Sequence, residues 1–318
     1  MSSSTSIRAL ALEGFDAPPA VIDVPAPEPG AGEVLVRVRA AGVNPYDTFV
    51  ASGGMKDYVP YRFPAVLGTD VAGVIEALGD GVEGFAIGDR VFGKLGDKPE
   101  VHDGTFGTLA VPSATSLSNT PAGVDDLHAA TLGVAGTTAM SALEALDLQP
   151  GGSVLVAGAT GGVGTFAIQL AANRGATVVA SVRPGDEGFV ADLGAKETVD
   201  YTGDLAAAVR ERFPDGVDAL IDLVNRDPSA FASSVGLVRE GGHAASAVGG
   251  AGERTEIDGV SVANVGGDPQ YLGALADLVA AGALRPAIRR TYPLEDAAQA
   301  LSDLTSEHTL GKLVIAMA

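Results

Sequence analysis

A glycine-rich turn is the part of this 318-residue chain whose residue types point most directly to chemistry. Four glycines lie within 158–164, after the apolar run 154–156 and before a helical pattern over 165–174. Glycines let a backbone approach a pyrophosphate, and the unpaired N–H groups and dipole of a helix N-terminus stabilise its charge. The segment therefore predicts a nucleotide-binding turn. The contacts are expected from Ala159, Thr160, Gly161, Gly162 and Val163.

The turn departs from the strict G-x-G-x-x-G pattern, because Ala159 stands where the first glycine would be. The alternative is a glycine-rich β-α connection that binds nothing. Its flanks favour binding, since Gly175 ends the helical pattern and 176–180 supplies a second apolar strand. Together these elements predict a complete β-α-β unit.

The elements around this unit change in character along the chain. Residues 7–121 contain short alternating segments, clearest over 34–39, between proline and glycine clusters, which is typical of an all-β module. After Pro121 helices and strands alternate, which favours a doubly wound parallel sheet. Helical patterns cover 125–146 and 270–281, strands are predicted over 219–224 and 243–248, and β character returns from Leu284, including 311–316.

Composition excludes several classes of function. The chain has 20 Lys and Arg against 40 Asp and Glu, and its net charge of −20 argues against nucleic-acid and anionic-membrane partners. It has no cysteine, which excludes disulfides, thiol nucleophiles and cysteine-ligated metals. The polar start over 1–5 lacks the features of a signal peptide, and no apolar run approaches the ~20 residues that span a bilayer. We therefore expect a cytoplasmic protein.

Six segments in order resemble the medium-chain dehydrogenase/reductase superfamily, in its zinc-free quinone oxidoreductase-like branch. They are 41–47, 64–73, 88–93, 135–139, 158–164 and 308–314. The resemblance implies an α/β fold in which a GroES-like β-barrel catalytic domain carries an inserted Rossmann domain with a doubly wound parallel sheet. The expected domains are 1–122, 123–283 for NADPH binding, and 284–318 returning to the catalytic domain. Homodimers are usual in the family.

No metal site is expected. Zinc-dependent members of this superfamily use a cysteine in the first segment and a His-Glu pair in the second. Here those segments read Asn44-Pro45 and Thr69-Asp70, and the four histidines of the chain are scattered. Without a Lewis acid to polarise an alcohol oxygen, alcohol oxidation is disfavoured.

Cofactor preference is predicted from the end of the second strand. Proteins that select NAD usually place Asp or Glu there, whereas this chain has Ser181-Val182-Arg183. A hydroxyl and a guanidinium suit a 2′-phosphate, so NADPH is predicted. The alternative is that Arg183 is a solvated surface residue, and Asp186 stands where the family often has a lysine.

The resemblance implies further cofactor contacts. Tyr201 matches a family position near the adenosine, and Thr138 matches one near the nicotinamide. Asn264 and Lys312 complete the implied set of cofactor-binding residues.

The catalytic assignments rest on the first of the six segments. Asn44 matches a family asparagine at the nicotinamide end, where its amide can orient a carboxamide or a substrate carbonyl; the alternative is a turn residue before Pro45. The tyrosines that protonate product in related reductases are replaced by Met55 and Phe49. Tyr46, close in sequence, is therefore our candidate hydrogen-bond donor, and the alternative is a packed aromatic residue with its hydroxyl at the surface.

The expected reaction is metal-free hydride transfer from NADPH to a quinone or enone, with positioning supplying most of the rate. An enoyl reductase, acting on a 2-alkenal or an enoyl thioester, is the alternative within this class. A non-catalytic NADPH-binding sensor is the alternative of another class. Retention of Asn44 and Thr138 favours the enzyme.

Overall fold

The computed structural model of the chain describes residues 6–317. The polar start over 1–5, on which the expectation about a signal peptide depends, lies outside the described residues. The chain divides into two compact units. The first contains 6–134, 269–281 and 288–317, and the second contains 135–268 and 282–287.

The first unit is mainly β-structure. Its elements up to residue 134 are β1 Ser6–Leu12, β2 Ala20–Pro25, β3 Val34–Val43, α1 Pro45–Ala51, β4 Ala65–Val66, β5 Asp70–Leu78, β6 Arg90–Lys94, β7 Leu109–Ala110, β8 Leu117–Asn119 and α2 Asp126–Ala129. Along β3 the valines at 34, 36 and 38 are buried while Arg37 and Arg39 point to solvent. This alternation is what a half-buried strand requires.

The second unit carries the predicted parallel sheet. Its elements are α3 Thr137–Glu144, β9 Ser153–Ala157, α4 Gly162–Asn173, β10 Thr177–Val182, α5 Glu187–Asp192, β11 Glu197–Asp200, α6 Leu205–Arg212, β12 Val217–Asp222, α7 Pro228–Val235, β13 Val238–Ser246, β14 Glu256–Ile257 and β15 Val260–Asn264. The sheet order is β11-β10-β9-β12-β13-β15-β14. All neighbours are parallel except β14 and β15. The order reverses between β9 and β12, which is where open α/β sheets bind their ligands.

The chain then completes the first unit with α8 Leu272–Ala280, β16 Ile288–Pro293, α9 Ala297–Ser306 and β17 Lys312–Ala316. β17 pairs with β3, in a sheet whose main path is β16-β17-β3-β5-β6-β8, while β2, β1 and β4 form a separate three-stranded sheet. The α/β fold class predicted from the sequence is confirmed. The part expected to be one barrel consists of these two sheets.

Several local predictions differ from the structure. Residues 123–134 and 269–281, expected in the nucleotide-binding domain, belong to the first unit. The helix expected over 125–146 is broken into α2, a π-helical turn over Leu132–Gly136, and α3. Helices α1 and α9 lie in the parts of the chain, 7–121 and from Leu284 onward, for which only β character was predicted.

Candidate functional site

The glycine turn connects the buried strand β9 to α4, as predicted. Gly158 adopts φ +83°, a left-handed conformation that favours glycine, and it turns the chain sharply at the end of β9. Gly161 is the N-cap of α4 and has extended backbone, and Thr160 before it is buried. The turn lies at the carboxyl end of β9, beside β12, where the strand order reverses.

Gly164 explains why the helix can start so close to the strand. A Cβ placed on Gly164 would lie 2.3 Å from the carbonyl oxygen of Gly158 and 2.6 Å from that of Ala159. Real Cβ atoms do not approach backbone oxygens so closely, so only glycine fits without moving the turn. This is the close helix–strand packing that the third glycine of a dinucleotide-binding turn provides.

The start of α4 can hold an anion. No side chain caps this helix, because Gly161 occupies the N-cap, and Gly161, Gly162 and Val163 are all partly exposed. The first N–H groups of a helix have no intrahelical partner, and the helix dipole adds positive potential there. The residues of the turn therefore fit the pyrophosphate of a dinucleotide.

A second group follows the next two strands of the same sheet. Arg183 comes directly after β10 and Tyr201 directly after β11, and these strands are parallel neighbours. Arg183 Nε donates a hydrogen bond of 2.5 Å to Tyr201 Oη, and its guanidinium carbon lies 5.9 Å from the centroid of the ring. Tyr201 thus fixes the direction of an exposed guanidinium, while Ser181 is buried within β10.

Asn264 and Thr138 are the other residues of this unit that were predicted to bind the cofactor. Asn264, at the end of β15, accepts a hydrogen bond from the N–H of Ala251 and donates one of 2.8 Å to the carbonyl of Gly252, which holds the loop after β13. Thr138 is buried in the first turn of α3.

In the first unit, a buried polar cluster surrounds Asn44. Its side-chain Nδ2 donates to Asp70 Oδ2 at 3.0 Å and to the carbonyl of Gly42 at 3.3 Å, while Oδ1 accepts a 2.6 Å hydrogen bond from Lys312 Nζ. Both amide hydrogens are therefore used inside the protein. The amide cannot donate to a substrate carbonyl without breaking one of these bonds.

Lys312, expected among the cofactor contacts, is 3% exposed. Besides Asn44, its ammonium donates to the carbonyl of Val43 at 3.0 Å and to Asp70 Oδ2 at 3.3 Å. An ammonium has three hydrogens to donate, so a direct contact with a cofactor would replace one of these bonds. The arrangement joins β17 to β3 and β5 in the interior of the unit.

Asp47 is the second buried carboxyl of this cluster. Its Oδ2 accepts the backbone N–H of Asn44 at 2.8 Å, and its Oδ1 lies 2.7 Å from the hydroxyl oxygen of Thr69. Burial, with a further contribution from Asp70, raises the pKa of Asp47 to about 7, although the hydrogen bond from Thr69 opposes the rise. Burial also raises the pKa of Asp70, against Lys312 and the donors on Asn44 and Val134.

Tyr46 lies beside this cluster on α1 and is 46% exposed. Burial of half the side chain raises its pKa, and the neighbouring carboxyls of Asp47 and Asp97 raise it further. The phenol keeps its proton over a wider range of pH and can donate a hydrogen bond.

Comparison with known proteins identifies the family. Residues 30–122 match the alcohol dehydrogenase GroES-like domain, and residues 193–315 match the family described as zinc-binding dehydrogenase. The chain is 30% identical to a quinone oxidoreductase of Sus scrofa, over 98% of this chain and 97% of that protein. The chain belongs to the medium-chain dehydrogenase/reductase superfamily.

Two further relatives agree with this assignment. The chain is 31% identical to a 2-haloacrylate reductase of Burkholderia sp, over 90% of this chain and 91% of that protein. The structure of the quinone oxidoreductase from Coxiella burnetii superposes with a TM-score of 0.87 at 28% identity, over 99% of this chain and 100% of that one. Within the superfamily the chain is quinone oxidoreductase-like, as its six segments predicted.

Membership of this superfamily supports an oxidoreductase and implies a nicotinamide cofactor. Within residues 6–317, no group of three or more His, Cys, Asp or Glu side chains is placed to hold a metal ion. No helix in that same span is long and apolar enough to cross a membrane.

The buried partners of Asn44 were missed from the sequence. Asp70 and Lys312 each begin an apolar strand, and a charged residue at such a position needs a partner when it is buried. That signal was present in both segments, but they lie 242 residues apart and nothing in the sequence paired them.

Proposed function

We propose that this protein is an NADPH-dependent reductase that transfers hydride to a quinone or another conjugated carbonyl without a metal. The observation that carries the proposal is the presence of two features in one sheet. Helix α4 begins with glycine and without a side-chain cap, where the strand order of the sheet reverses. Arg183, at the end of β10, is oriented by its hydrogen bond to Tyr201, at the end of β11. The first suits a pyrophosphate and the second a 2′-phosphate. The small-molecule substrate, cytoplasmic location and homodimeric state expected from the sequence are part of this proposal.

Selection of NADPH follows from charge. The guanidinium of Arg183 carries a permanent positive charge and presents planar donors that match phosphate oxygens, and the hydrogen bond to Tyr201 reduces its rotational freedom. Ser181 adds a hydroxyl in the preceding strand. NADH lacks the phosphate group and gains nothing from this charge.

When bound, the cofactor supplies the hydride. The chain binds and orients: the N–H groups at the start of α4 hold the pyrophosphate, and Arg183 and Ser181 hold the 2′-phosphate. The phenol of Tyr46 donates to the acceptor oxygen on which negative charge develops. Asn44 Oδ1 has a second lone pair that can accept an N–H of the nicotinamide carboxamide.

A second candidate is reduction of an activated carbon–carbon double bond beside a carboxyl or thioester. The relative named 2-haloacrylate reductase favours it. Hydride transfer to such a bond leaves a carbanion that must be protonated on carbon, which is more demanding than protonating a quinol oxygen. For this reason the quinone or enone is placed first.

The test is oxidation of NADPH by the purified protein with quinones, enones and haloacrylates, together with titrations of NADPH and NADH. Turnover with at least one acceptor is expected. Arg183→Ala should weaken NADPH binding roughly tenfold to a hundredfold, as expected for loss of a charge-assisted phosphate contact, and should leave NADH binding nearly unchanged.

An exposed arginine of the same unit, Arg226→Ala, is the matched control. Tight NADPH binding with no turnover on any acceptor would favour a sensor over an enzyme. An equal effect of Arg183→Ala on both cofactors would refute the assignment of Arg183.

A further inference from the structure

The cluster around Asn44 contains two fully buried carboxyls and one buried cation. Asp47 and Asp70 are 1% and 0% exposed, and Lys312 is 3% exposed. Lys312 contacts Asp70 at 3.3 Å, whereas the hydrogen-bond donors that reach Asp47 are the neutral Asn44 N–H and Thr69 hydroxyl. The proposed function uses Asn44 and Tyr46 but gives Asp47 and Thr69 no part.

Charge balance distinguishes the two carboxyls. An unpaired charge in a protein interior costs several kcal/mol, so the cluster is most stable with one negative charge opposite the single ammonium. That charge belongs on Asp70, which contacts Lys312 and also accepts from Asn44 Nδ2 and from the N–H of Val134 at 2.6 Å. Asp47 is then the neutral carboxylic acid.

The hydrogen bonds of Asp47 determine where its proton lies. Oδ2 accepts the backbone N–H of Asn44, and Oδ1 accepts the Thr69 hydroxyl at 2.7 Å. When Asp47 is protonated, only the second bond can reverse, because a hydroxyl can accept as well as donate and a backbone N–H cannot. The acidic proton therefore belongs on Oδ1. A protonated Oδ1 donates to the threonine, whose own hydrogen is then free to point elsewhere. Thr69 is only partly buried whereas Asp47 is 1% exposed, so Thr69 is the more exposed residue of this pair.

We propose that Asp47 and Thr69 form a two-residue proton relay that protonates the reduced substrate. The proposal rests on the reductase function proposed above and assigns the proton donor that replaces the tyrosines absent at Phe49 and Met55. Thr69 would be the catalytic residue in contact with substrate, and Asp47 would act through it.

The step balances in atoms and electrons. Hydride transfer adds two electrons and one hydrogen to the conjugated carbonyl, oxidises the nicotinamide and leaves an anionic oxygen. The Thr69 O–H bond breaks as its proton passes to that oxygen. At the same time the Asp47 O–H bond breaks and its proton re-forms the threonine hydroxyl. Asp47 is left as a carboxylate and takes a proton from water after product leaves.

The raised pKa of Asp47, about 7, agrees with this geometry because a general acid acts best near the working pH. The ionisable groups that influence it are Asp70 from β5, which raises the pKa, and Lys312 from β17, which lowers it; Asp47 in turn raises the pKa of Tyr46 on its own helix. The charges of Asp70 and Lys312 neutralise each other. The cluster must therefore accommodate only one further negative charge, which forms on Asp47 during the reaction.

Two pairs of variants separate the relay from a structural role. Thr69→Val removes the hydroxyl at nearly constant shape, and Thr69→Ser keeps it. Asp47→Asn keeps an acceptor for Asn44 and a donor toward Thr69 but has no acidic proton. The control is Asp89→Asn. Asp89 lies at a surface turn of the same unit, where its carboxylate accepts the N–H of Ala86.

The measurements are kcat/KM against pH and infrared difference spectra between about pH 6 and about pH 8. For the wild type, kcat/KM should fall as pH rises above about 7, and the spectra should show a carboxylic acid that loses its proton. Asp47→Asn should lose both signals. Thr69→Val should lower kcat/KM roughly a hundredfold or more while leaving the infrared signal, and Thr69→Ser should retain most of the activity.

The relay is overturned if Asp47→Asn keeps the wild-type pH profile, if Thr69→Val stays as active as Thr69→Ser, or if the infrared signal survives in Asp47→Asn. In each of these cases the wild type still oxidises NADPH, so the proposed function stands. A wild type that reduces no acceptor overturns the proposed function and the relay together. The infrared spectra report on Asp47 in every variant that folds.

Discussion

Replacing Lys312 by methionine should destabilise the protein strongly, because it leaves Asp70 without its cation. Methionine matches the length of the lysine stem but removes hydrogen bonds to Val43, Asn44 and Asp70. Removing one partner of a buried ion pair lowers the free energy of unfolding by about 3–5 kcal/mol. If Asp70 takes up a proton instead, the variant is still destabilised, because the unfolded carboxyl is ionised at neutral pH and burial raises the pKa of the folded one.

The assay is urea denaturation of the wild type and the variant at several pH values. We expect the free energy of unfolding to fall by about 4 kcal/mol at pH ~7 and by less at pH ~4–5, where Asp70 can take up a proton more cheaply. In a double-mutant cycle with Asp70→Asn, the coupling should exceed about 2 kcal/mol. Arg37→Met, which breaks the exposed pair with Glu76, is the control and should cost less than about 1 kcal/mol.

A loss at Lys312 no larger than that at Arg37, or one that does not depend on pH, would refute the buried-pair interpretation. Loss of NADPH affinity in a Lys312→Met protein that remains fully stable would instead support the cofactor contact expected from the sequence.

Two other predictions concern the turn and Asp47. Gly164→Ala should weaken NADPH binding at least tenfold and lower the melting temperature, because its Cβ meets backbone oxygens. Gly188→Ala is the control and should do neither, because a Cβ there meets nothing within 4 Å. Cofactor titration measures the first effect and calorimetry the second. Folded Asp47 keeps its proton to about pH 7 and the unfolded residue loses it near 3.8, so stability should decline by about 4 kcal/mol as pH rises through that window. Asp47→Asn should abolish this part of the slope in urea titrations, and an unchanged slope would show that Asp47 is ionised in the folded protein.

The β-α-β unit could be predicted from the sequence because its signals are local. The apolar run before the turn, the glycines and the closing Gly175 lie within about twenty residues, and each has a direct structural meaning. Helix α1 was missed although its signal is also local. A turn before Pro45 was the alternative considered for Asn44, and no helix was predicted there. Asn44 and Pro45 are instead the N-cap and first residue of the helix, and Asp47 accepts the N–H of Asn44 from the third position.

The cluster around Asn44 could not be predicted in the same way. It is assembled from β3, α1, β5 and β17, and the contact between Lys312 and Asn44 spans 268 residues. Composition showed that the chain lacks cysteine ligands, but only the fold shows which charged groups share one buried space. The direction of the Asn44 amide, toward Asp70, Gly42 and Lys312, is also a property of that packing.

Metal-free hydride transfer is tested most directly by the stoichiometry of a chelator-treated protein. Protein freed of metal with a chelator is mixed with NADPH and the best quinone or enone, and both cofactor oxidation and product formation are measured. One acceptor should be reduced for each NADPH oxidised, at the rate of untreated protein. Two results would contradict metal-free hydride transfer. One is a loss of turnover on chelation that is reversed by adding zinc, and the other is oxidation of NADPH without reduction of the acceptor.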